Sequence, residues 1–260
     1  MNDFHRPTVS VHKFSSCDGC QLAILNLGEA LLDLVQQLDI RHFAEAGLLD
    51  ELAPVEIALV EGSLSTPADI ERIKHIREVS RFLVTIGACA TAGGLQALRN
   101  LSASGEWLGQ IYASPEYIAS LDQVRSVREV VRVDAEIWGC PVDRKAVLQA
   151  LAALSRGVLP LDEDRPLCME CKRRGLPCVA VSQGQPCLGP ITRQGCGALC
   201  PGLGRGCYGC YGPAEQAEPA VLLQAAGQWR DGGLVVKENF RGFYSHIEPF
   251  KGRNERSGET

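Results

Sequence analysis

Twelve cysteines, spread unevenly over 260 residues, constrain this chain more than any other feature. Four lie far apart in the first 160 residues, and eight crowd together between Cys168 and Cys210. The opening residues, Met1 to Arg6, show neither an apolar signal segment nor a twin-arginine pair, so we expect a cytoplasmic protein. Because disulfides are rare in that reducing compartment, the thiols are expected to bind metal or to take part in redox chemistry.

Composition and charge exclude several classes of protein. A net charge of −5 and a pI of about 5.6 provide no basic face for nucleic acid or anionic lipid. No apolar run reaches the ~18 residues that a membrane-inserted helix needs. The patterning changes near Gly157–Arg165, where periodic apolar segments give way to Pro, Gly and Cys. The sequence therefore predicts two domains, residues 1–160 and 161–260.

Strand-like and helix-like patterns alternate through the first domain. Strands are predicted at Pro7–Phe14, Val55–Val60, Arg81–Ile86 and Glu129–Val133. Helices are predicted at Gln21–Leu38, from Thr66 to about Ser80, at Cys89–Arg99 and at Asp143–Ser155. Such alternation favours right-handed βαβ crossovers. The predicted fold class is α/β: a flavodoxin-like, doubly wound parallel sheet, followed by an irregular cysteine-rich domain.

The four early cysteines each follow the carboxyl end of a predicted strand. Cys17, Cys20, Cys89 and Cys140 are therefore expected to meet at one edge of the sheet, beside glycines at 19, 87 and 139 that let the backbone bend. We expect one four-thiol metal cluster here. Two alternatives stay open: four buried structural thiols, and a nucleotide site at 87–94, although that segment lacks the usual glycine spacing and lysine.

The eight later cysteines form two sets in simple sequential pairing. The sets are Cys168, Cys171, Cys178, Cys187 and Cys196, Cys200, Cys207, Cys210. Zinc held by four thiolates is the main rival to iron–sulfur clusters, but zinc is redox-inert and would not continue a redox chain from the first domain. Five basic residues are interleaved with these cysteines, and they either form a solvated surface or offset cluster charge: Lys172, Arg173, Arg174, Arg193 and Arg205.

Four motifs resemble, in order and context, the small subunits of [NiFe] hydrogenases. They are CDGC at 17–20, VEGS at 60–63, GACATAGG at 87–94 and GCPVD at 139–143. The tail at 186–213 is similar to the soluble branch, above all the delta subunit of NAD(P)-linked hydrogenases, or sulfhydrogenases. The resemblance spans Val9 to Pro213. Related respiratory complex I subunits share the first-domain fold, but they have adjacent cysteines where this chain has Cys17 and Cys20, and they lack the tail.

The resemblance implies three [4Fe–4S] clusters. It assigns Cys17, Cys20, Cys89 and Cys140 to a proximal cluster, Cys196, Cys200, Cys207 and Cys210 to a medial one, and Cys168, Cys171, Cys178 and Cys187 to a distal one. Periplasmic and membrane-bound relatives have histidine where this chain has Cys168, and often proline with a three-iron cluster where it has Cys200. The spacing over 168–187 also differs from those relatives.

By the same resemblance, the chain is an electron-transfer subunit of an oxidoreductase, with no catalytic residue of its own. Hydrogen would be cleaved at a Ni–Fe centre in a partner large subunit, and electrons would pass to a flavin (FAD)/NAD(P) subunit or a ferredoxin-like subunit. A hydrogenase linked to coenzyme F420 or to a heterodisulfide reductase is the alternative. Glu61 relays protons, contacts the large subunit or binds loop amides. His12, His42, His75 and His246 lack ligand spacing and are interpreted as ordinary surface or core histidines.

Overall fold

The computed structural model describes residues 5–51, 53–101 and 106–227, together with 229, 242–244 and 247. Residues 1–4 of the opening segment and His246 lie outside this part. The chain divides between Asp162 and Glu163 into two compact units. Among the described residues, no helix has both the length and the apolar character to cross a membrane.

The first unit is built around a six-stranded sheet. Its strands are β1 (Thr8–Lys13), β2 (Asp39–Phe43), β3 (Leu48–Leu49), β4 (Val55–Glu61), β5 (Ser80–Ile86) and β6 (Ala135–Ile137). The spatial order is β3-β2-β1-β4-β5-β6, and every neighbouring pair is parallel except β2 with β3. Without the short β3, this is the flavodoxin-like order, whose switch point lies between β1 and β4. The predicted fold class is confirmed.

Helices cover this sheet, and short helices make up most of the regular structure in the second unit. The first unit contains α1 (Gly19–Leu25), α2 (Glu29–Gln37), α3 (Pro67–Glu78), α4 (Gly87–Ala92), α5 (Glu106–Ile111) and α6 (Arg144–Leu154). The second contains α7 (Cys168–Arg173), α8 (Val179–Gln183), α9 (Leu199–Gly202) and α10 (Pro219–Ala226). Short 3-10 turns lie at Ala44–Ala46, Gly94–Leu101, Pro115–Tyr117, Val127–Glu129 and Gly189–Ile191.

Both faces of the sheet are buried. One face packs against α1 and α6, and the other packs against α3. In β4, Ile57 and Leu59 belong to the first layer, whereas Ala58 and Val60 belong to the second. A strand covered on both sides needs apolar residues at every position, which explains the unbroken apolar run in this segment.

Several predicted elements are confirmed within a residue or two. The start of α3 is a capping box: the Thr66 hydroxyl accepts from the amide of Asp69, and the Asp69 carboxylate accepts from the amide of Thr66 at 2.9 Å. The Asp143 carboxylate likewise caps α6 by accepting from the amides of Lys145 and Ala146. These local signals place both helices correctly.

Three predicted elements are wrong. The helix expected at Cys89–Arg99 is divided at Gly93 (φ 77°) into α4 and the 3-10 turn Gly94–Leu101. The single helix expected at Gln21–Leu38 is interrupted between α1 and α2, because Gly28 adopts φ 64° and ψ −132°, a conformation outside the helical region. The strand expected at Glu129–Val133 is instead a 3-10 turn and loop whose valines pack against the α3 layer. The true strand, β6, follows it, so Cys140 still lies just after a strand.

Candidate metal centres

The loops after β1 and β4 pair with each other at the switch point of the sheet. The amide of Ser15 donates to the carbonyl of Ser63 at 3.1 Å, and the amide of Ser63 donates back at 2.9 Å. Beyond this pairing, Asp18 adopts a left-handed conformation (φ 64°) and α1 begins. Lys13 holds the Asp18 carboxylate at 2.7 Å. This turn carries Cys17 and Cys20 to the carboxyl edge of the sheet.

Two glycines bring the backbone after β5 close to sulfur. A Cβ on Gly87 would lie 2.3 Å from the Sγ of Cys20, and one on Gly94 would lie 2.7 Å from the Sγ of Cys89. Both glycines have positive φ, +81° and +58°. Only glycine fits both the conformation and the space at these positions.

The loop after β6 completes this edge. The amide of Ala88 donates to the carbonyl of Gly139 at 2.8 Å, which joins the β6 loop to α4. The Cys140–Pro141 peptide bond is cis, and a Cβ on Gly19 would contact Pro141 at 3.6 Å. Cys140 is thus held next to the start of α1 and of α4. The four cysteines predicted to converge are brought together at one edge.

The pKa values of these thiols reflect burial and mutual proximity. The pKa of Cys89 is raised to about 12, first by burial and then by Cys140, with a smaller contribution from Cys17. Burial and then Glu61 raise the pKa of Cys20, and Cys89 and Cys140 add to the effect. Burial and then Cys17 raise the pKa of Cys140. Four thiolates gathered here therefore need positive charge among them.

Two polar side chains hold the site in place. The Glu61 carboxylate, which is 2% exposed, accepts from the amides of Cys20 at 3.0 Å and Gln21 at 3.1 Å. Burial raises the pKa of Glu61, and these two amides oppose the shift. The Cys89 thiol donates to the side-chain oxygen of Gln96 at 3.3 Å, and the Gln96 amide donates to the carbonyl of Ser15 at 3.1 Å.

In the second unit, backbone crossings organise the eight remaining cysteines. The amide of Leu188 donates to the carbonyl of Cys207 at 2.9 Å, and a Cβ on Gly206 would overlap the carbonyl oxygen of Pro186. The Sγ of Cys187 accepts from the amide of Cys207 at 3.3 Å. The Sγ of Cys207 accepts from the amide of Gly209 at 3.4 Å. Amide-to-sulfur bonds of this kind stabilise thiolates and help to set cluster potentials.

Electrostatic coupling in this unit joins the members of the first cysteine set. It also crosses between the sets, because Cys196 contributes to the raised pKa of Cys171 and Cys200 to that of Cys187. The pKa of Cys168 is raised to about 11, first by burial and then by Cys187, Cys171 and Cys178. After burial, Cys187 and Cys178 also raise the pKa of Cys171. Burial and then Cys178 raise the pKa of Cys187. All four members of this set are therefore close enough to influence one another.

The second set is coupled in two pairs. After burial, Cys200 contributes to the raised pKa of Cys196. Burial likewise raises the pKa of Cys207, with smaller contributions from Cys187 and Cys210. Cys187 thus couples to both sets.

The interleaved basic residues mainly hold loops. Arg174 donates to the carbonyl of Gly197, and Arg173 donates to the side chain of Gln194 at 2.5 Å. Arg193 donates to the carbonyl of Pro213 at 3.2 Å. The Arg205 guanidinium lies 5.8 Å from the ring centre of Tyr208. Lys172 lowers the pKa of Cys168, against the larger opposing effects.

Sequence reasoning missed two residues that support cysteine loops. Gln96 comes close to Cys89 only because the chain turns at Gly93 and Gly94, and the sequence carries no signal for this contact. The Glu170 carboxylate accepts from the amides of Gly195 at 3.0 Å and Ala198 at 2.9 Å, and so positions the loop that carries Cys196. An acid placed between the two cysteines of a CxxC pair is a signal for such a role.

The chemistry of the donors fits iron–sulfur clusters. All twelve cysteines are free of disulfides. Several accept or donate hydrogen bonds at sulfur. Burial raises the pKa values of eight of them, so their thiolate forms need a compensating cation: Cys20, Cys89, Cys140, Cys168, Cys171, Cys187, Cys196 and Cys207. Cysteine thiolates in sets of four are the usual ligands of such clusters.

Comparisons with known proteins agree with this geometry. The family model described as NADH ubiquinone oxidoreductase, 20 Kd subunit, matches residues 17–154. Sulfhydrogenase 2 subunit delta of Pyrococcus furiosus is 36% identical over 206 residues, covering 79% of this chain and 86% of that protein. One subunit of the F420-non-reducing hydrogenase vhu of Methanocaldococcus jannaschii is 31% identical over 255 residues, covering 85% of this chain and 88% of that protein.

A solved structure is likewise similar to this chain and is also a hydrogenase. A chain of the NAD+-reducing [NiFe]-hydrogenase in its H2-reduced state is 25% identical, with a TM-score of 0.56, and the match covers 61% of this chain and 96% of that one. The family model spans more than half of the chain, and the relatives named above are hydrogenase subunits. This chain therefore belongs to the NADH ubiquinone oxidoreductase 20 Kd subunit family and, within it, to the small subunits of [NiFe] hydrogenases.

Proposed function

We propose that the chain conducts electrons through three [4Fe–4S] clusters. Cys17, Cys20, Cys89 and Cys140 bind the proximal cluster; Cys196, Cys200, Cys207 and Cys210 the medial one; and Cys168, Cys171, Cys178 and Cys187 the distal one. The observation that carries this proposal is the meeting of four cysteines from three separate loops at one edge of the sheet.

Zinc and a cubane require different spacings of the four sulfurs. A tetrahedral zinc ion with bonds of ~2.3 Å draws its four sulfurs to within about 4 Å of one another. Among the described residues, no three of the cysteine sulfurs are gathered tightly enough to hold a single ion. A cubane spreads its four thiolates more widely, because each sulfur binds a different iron.

The chain's own residues position the clusters and adjust their properties. The clusters, when bound, accept and release single electrons. Glu61 fixes the amides of Cys20 and Gln21, so that the turn carrying Cys17 and Cys20 is preorganised. The two amide-to-sulfur bonds at Cys187 and Cys207 favour the thiolate form. Burial limits access of water to the sulfurs of Cys20, Cys187 and Cys207.

The proposed partners follow from family membership. The large subunit, which carries the Ni–Fe centre and cleaves hydrogen, docks at the edge that holds the proximal cluster. A flavin/NAD(P) or ferredoxin-type subunit receives electrons from the distal cluster. The sulfhydrogenase delta relative and the NAD+-reducing hydrogenase chain support this assignment. Residence in the cytoplasm completes the proposal.

A second acceptor class is supported by a specific observation. The relative from the F420-non-reducing hydrogenase of Methanocaldococcus jannaschii aligns with 85% of this chain. The match to the NAD+-reducing enzyme covers 61%. Electrons therefore have a candidate route to an acceptor other than NAD(P), such as a heterodisulfide reductase. Assays of the purified complex with NAD+, NADP+, coenzyme F420 and ferredoxin distinguish these routes.

The electron path is tested with paired alanine variants of the hydrogenase complex. Cys89→Ala removes a proximal ligand, and Cys178→Ala removes a distal one. Hydrogen-dependent reduction of the physiological acceptor should fall at least tenfold in both. Hydrogen–deuterium exchange, which needs no electron transfer out of the Ni–Fe site, should continue in Cys178→Ala.

The control is Val181→Ala, because Val181 is 86% exposed and lies near Cys178, in the short helix that follows it. This variant should retain both hydrogen-dependent reduction of the acceptor and hydrogen–deuterium exchange. If Cys89→Ala reduced the acceptor at the wild-type rate, the proximal-cluster assignment would be wrong. If Cys178→Ala did so, the distal assignment would be wrong.

A further inference from the structure

Two histidines that sequence reasoning treats as ordinary lie side by side inside the first unit. His12 is in β1 and His42 is in the neighbouring parallel strand β2. Their rings stack with centroids 4.8 Å apart and an angle of 21° between planes. The rings are almost inaccessible, since the residues are 1% and 4% exposed. Val9 and Val11 pack into the layer with α1 and α6, so His12 points to the opposite face of the sheet, towards α3.

Three ring nitrogens of this pair are buried without a hydrogen-bond partner. They are the Nδ1 of His12 and both nitrogens of His42. Buried polar atoms are nearly always paired, because an unpaired one has lost its hydrogen bonds to water without replacement. The fourth nitrogen, His12 Nε2, lies 2.8 Å from the hydroxyl oxygen of Ser10. If Nε2 carries the proton and donates to Ser10, the Nδ1 lone pair is free to bind a cation.

A carboxylate faces these nitrogens from the segment after β3. The Oε1 atom of Glu51 lies 3.9 Å from the Nδ1 of His12. The ligand atoms of His12, His42 and Glu51 all lie within 4.8 Å of one another. Two lone pairs that face each other at such a distance repel unless a proton or a metal cation lies between them.

The surrounding charges are compatible with a cation. Arg72 of α3 pairs with Glu51 and donates to the carbonyl of Lys13 at 2.6 Å, so it orients the carboxylate as outer-shell partners of metal ligands do. Burial lowers the pKa of His42. The negative charges of Glu51 and Asp50 raise it, and the positive charge of Arg72 lowers it. Burial, and then His42 and Arg72, lowers the pKa of His12 to about 3. Both imidazoles are neutral near pH 7, which is the form that binds metal.

We propose that His12, His42 and Glu51 form a structural binding site for one divalent transition-metal ion of the zinc type. Two imidazoles and a carboxylate are a common ligand set for Zn²⁺ and Fe²⁺. Bonds of ~2.0–2.1 Å require ligand atoms about 3.3 Å apart, so an inward movement of roughly 1 Å or less per side chain closes the site. The deep burial of both rings favours a structural role over a catalytic one. The ion ties β1, β2 and the segment after β3 together.

Zinc binding to the full-length chain, purified anaerobically with its partner proteins and clusters, tests this site. The protein is first treated with a mild chelator and its iron content is checked. Zinc uptake is then measured in competition with a chromophoric chelator. Wild type should bind about one zinc per chain without loss of iron. His42→Ala should lose this zinc, and Glu51→Gln should bind it at least tenfold more weakly.

The matched control is His75→Ala, because the His75 side chain is 44% exposed on α3 and His75 is not one of the three proposed ligands. This variant should bind zinc as wild type does, and zinc should raise the melting temperature of both proteins. Zinc uptake that persists unchanged in His42→Ala would assign the ion to cysteine thiols and overturn the proposal, as would the absence of uptake in wild type. If His42→Ala does not fold, Glu51→Gln tests the site in its place. Zinc binding at least tenfold weaker than in wild type supports the proposal, and unchanged zinc binding overturns it.

Discussion

Gly87 and Cys20 are in such close contact that a methyl group on Gly87 would lie 2.3 Å from the Cys20 sulfur. Gly87 follows the last residue of β5, and Cys20 lies in the first turn of α1. Glycine at 87 is therefore required by a sulfur that comes from another strand's loop. This contact joins the loop after β1 to the start of α4, the two segments that carry Cys20 and Cys89 of the proposed proximal centre.

Gly87→Ala should abolish the proximal cluster. The added methyl displaces the Cys20 sulfur, and the positive φ of +81° adds about 1–2 kcal/mol of strain. Iron should fall by about four atoms per chain, the content of one cubane. The control is Gly47→Ala, which has a similar φ of +76° but nothing within 4 Å of the new methyl. Equal iron loss in both variants would mean that strain, not contact with Cys20, causes the effect.

Glu61→Gln should reduce stability more than electron transfer. The Glu61 carboxylate accepts from two amides, whereas glutamine offers one acceptor and turns an N–H₂ group towards the other amide. We expect a loss of about 1–3 kcal/mol in stability, seen as a lower melting temperature. Hydrogen-dependent dye reduction at room temperature should remain close to the wild-type rate. If the rate of hydrogen-dependent dye reduction instead fell far below the wild-type rate, and did so in a pH-dependent way, Glu61 would be identified as a proton relay.

Removal of the clusters should unfold the second unit. The longest helix among its described residues has eight residues, below the ~12–15 at which isolated helices become marginally stable. Small metal domains of this kind fold with their metal. After iron chelation, trypsin should cut rapidly at Lys172, Arg173, Arg174, Arg193 and Arg205, while the first unit persists as a fragment. Equal resistance before and after chelation would contradict this dependence.

The His12–His42 pair should make the protein sensitive to mild acid when metal is absent. The folded state keeps His12 neutral with a pKa of about 3, whereas the unfolded chain binds a proton near pH 6.5. Stability is therefore present above pH 6.5 and is lost, at about 1.4 kcal/mol per pH unit, as the pH falls towards 3. The groups that face His12 are His42, Arg72 and Glu51. With a chelator present, the melting temperature should fall as the pH is lowered from neutral to about 5.5.

His12→Gln serves as the comparison for that acid response. Glutamine does not titrate, so the fall in melting temperature over this pH range should be smaller in the variant. Carboxylates with ordinary pKa values stay ionised above about pH 5.5 and contribute little. Glu61, whose pKa is raised by burial, is present in both proteins and does not alter the comparison. Parallel curves for wild type and variant would show that other groups cause the acid sensitivity.

The sequence predicts those elements whose signals are local. The Thr66–Asp69 capping box locates α3, and the continuous apolar run of β4 matches a strand buried on both faces. The prediction at Glu129–Val133 was wrong because its valines pack beside α3 without forming a strand. A signal for the turn was present: Ser126 and Glu129 form a capping box.

Features that depend on tertiary contacts were harder to predict. The early cysteines were expected at one edge because the order of strands and helices implies it. Their exact supports, such as Gln96 on Cys89, depend on how loops meet. His12 and His42 lie in different strands, and their stacking follows from the parallel pairing of β1 with β2. No periodic pattern in the sequence predicts that the His12 and His42 rings stack.

Metal analysis of the chain, purified anaerobically and separated from its partner subunits so that their iron is not counted, tests the central claim most directly. Three cubanes predict about twelve irons and about twelve acid-labile sulfides per chain, four of each per cluster. Zinc should not exceed about one equivalent, the amount that the His12–His42 site accepts. Four irons with about two zinc ions per chain would restrict electron transfer to the first unit and contradict the proposed three-cluster path.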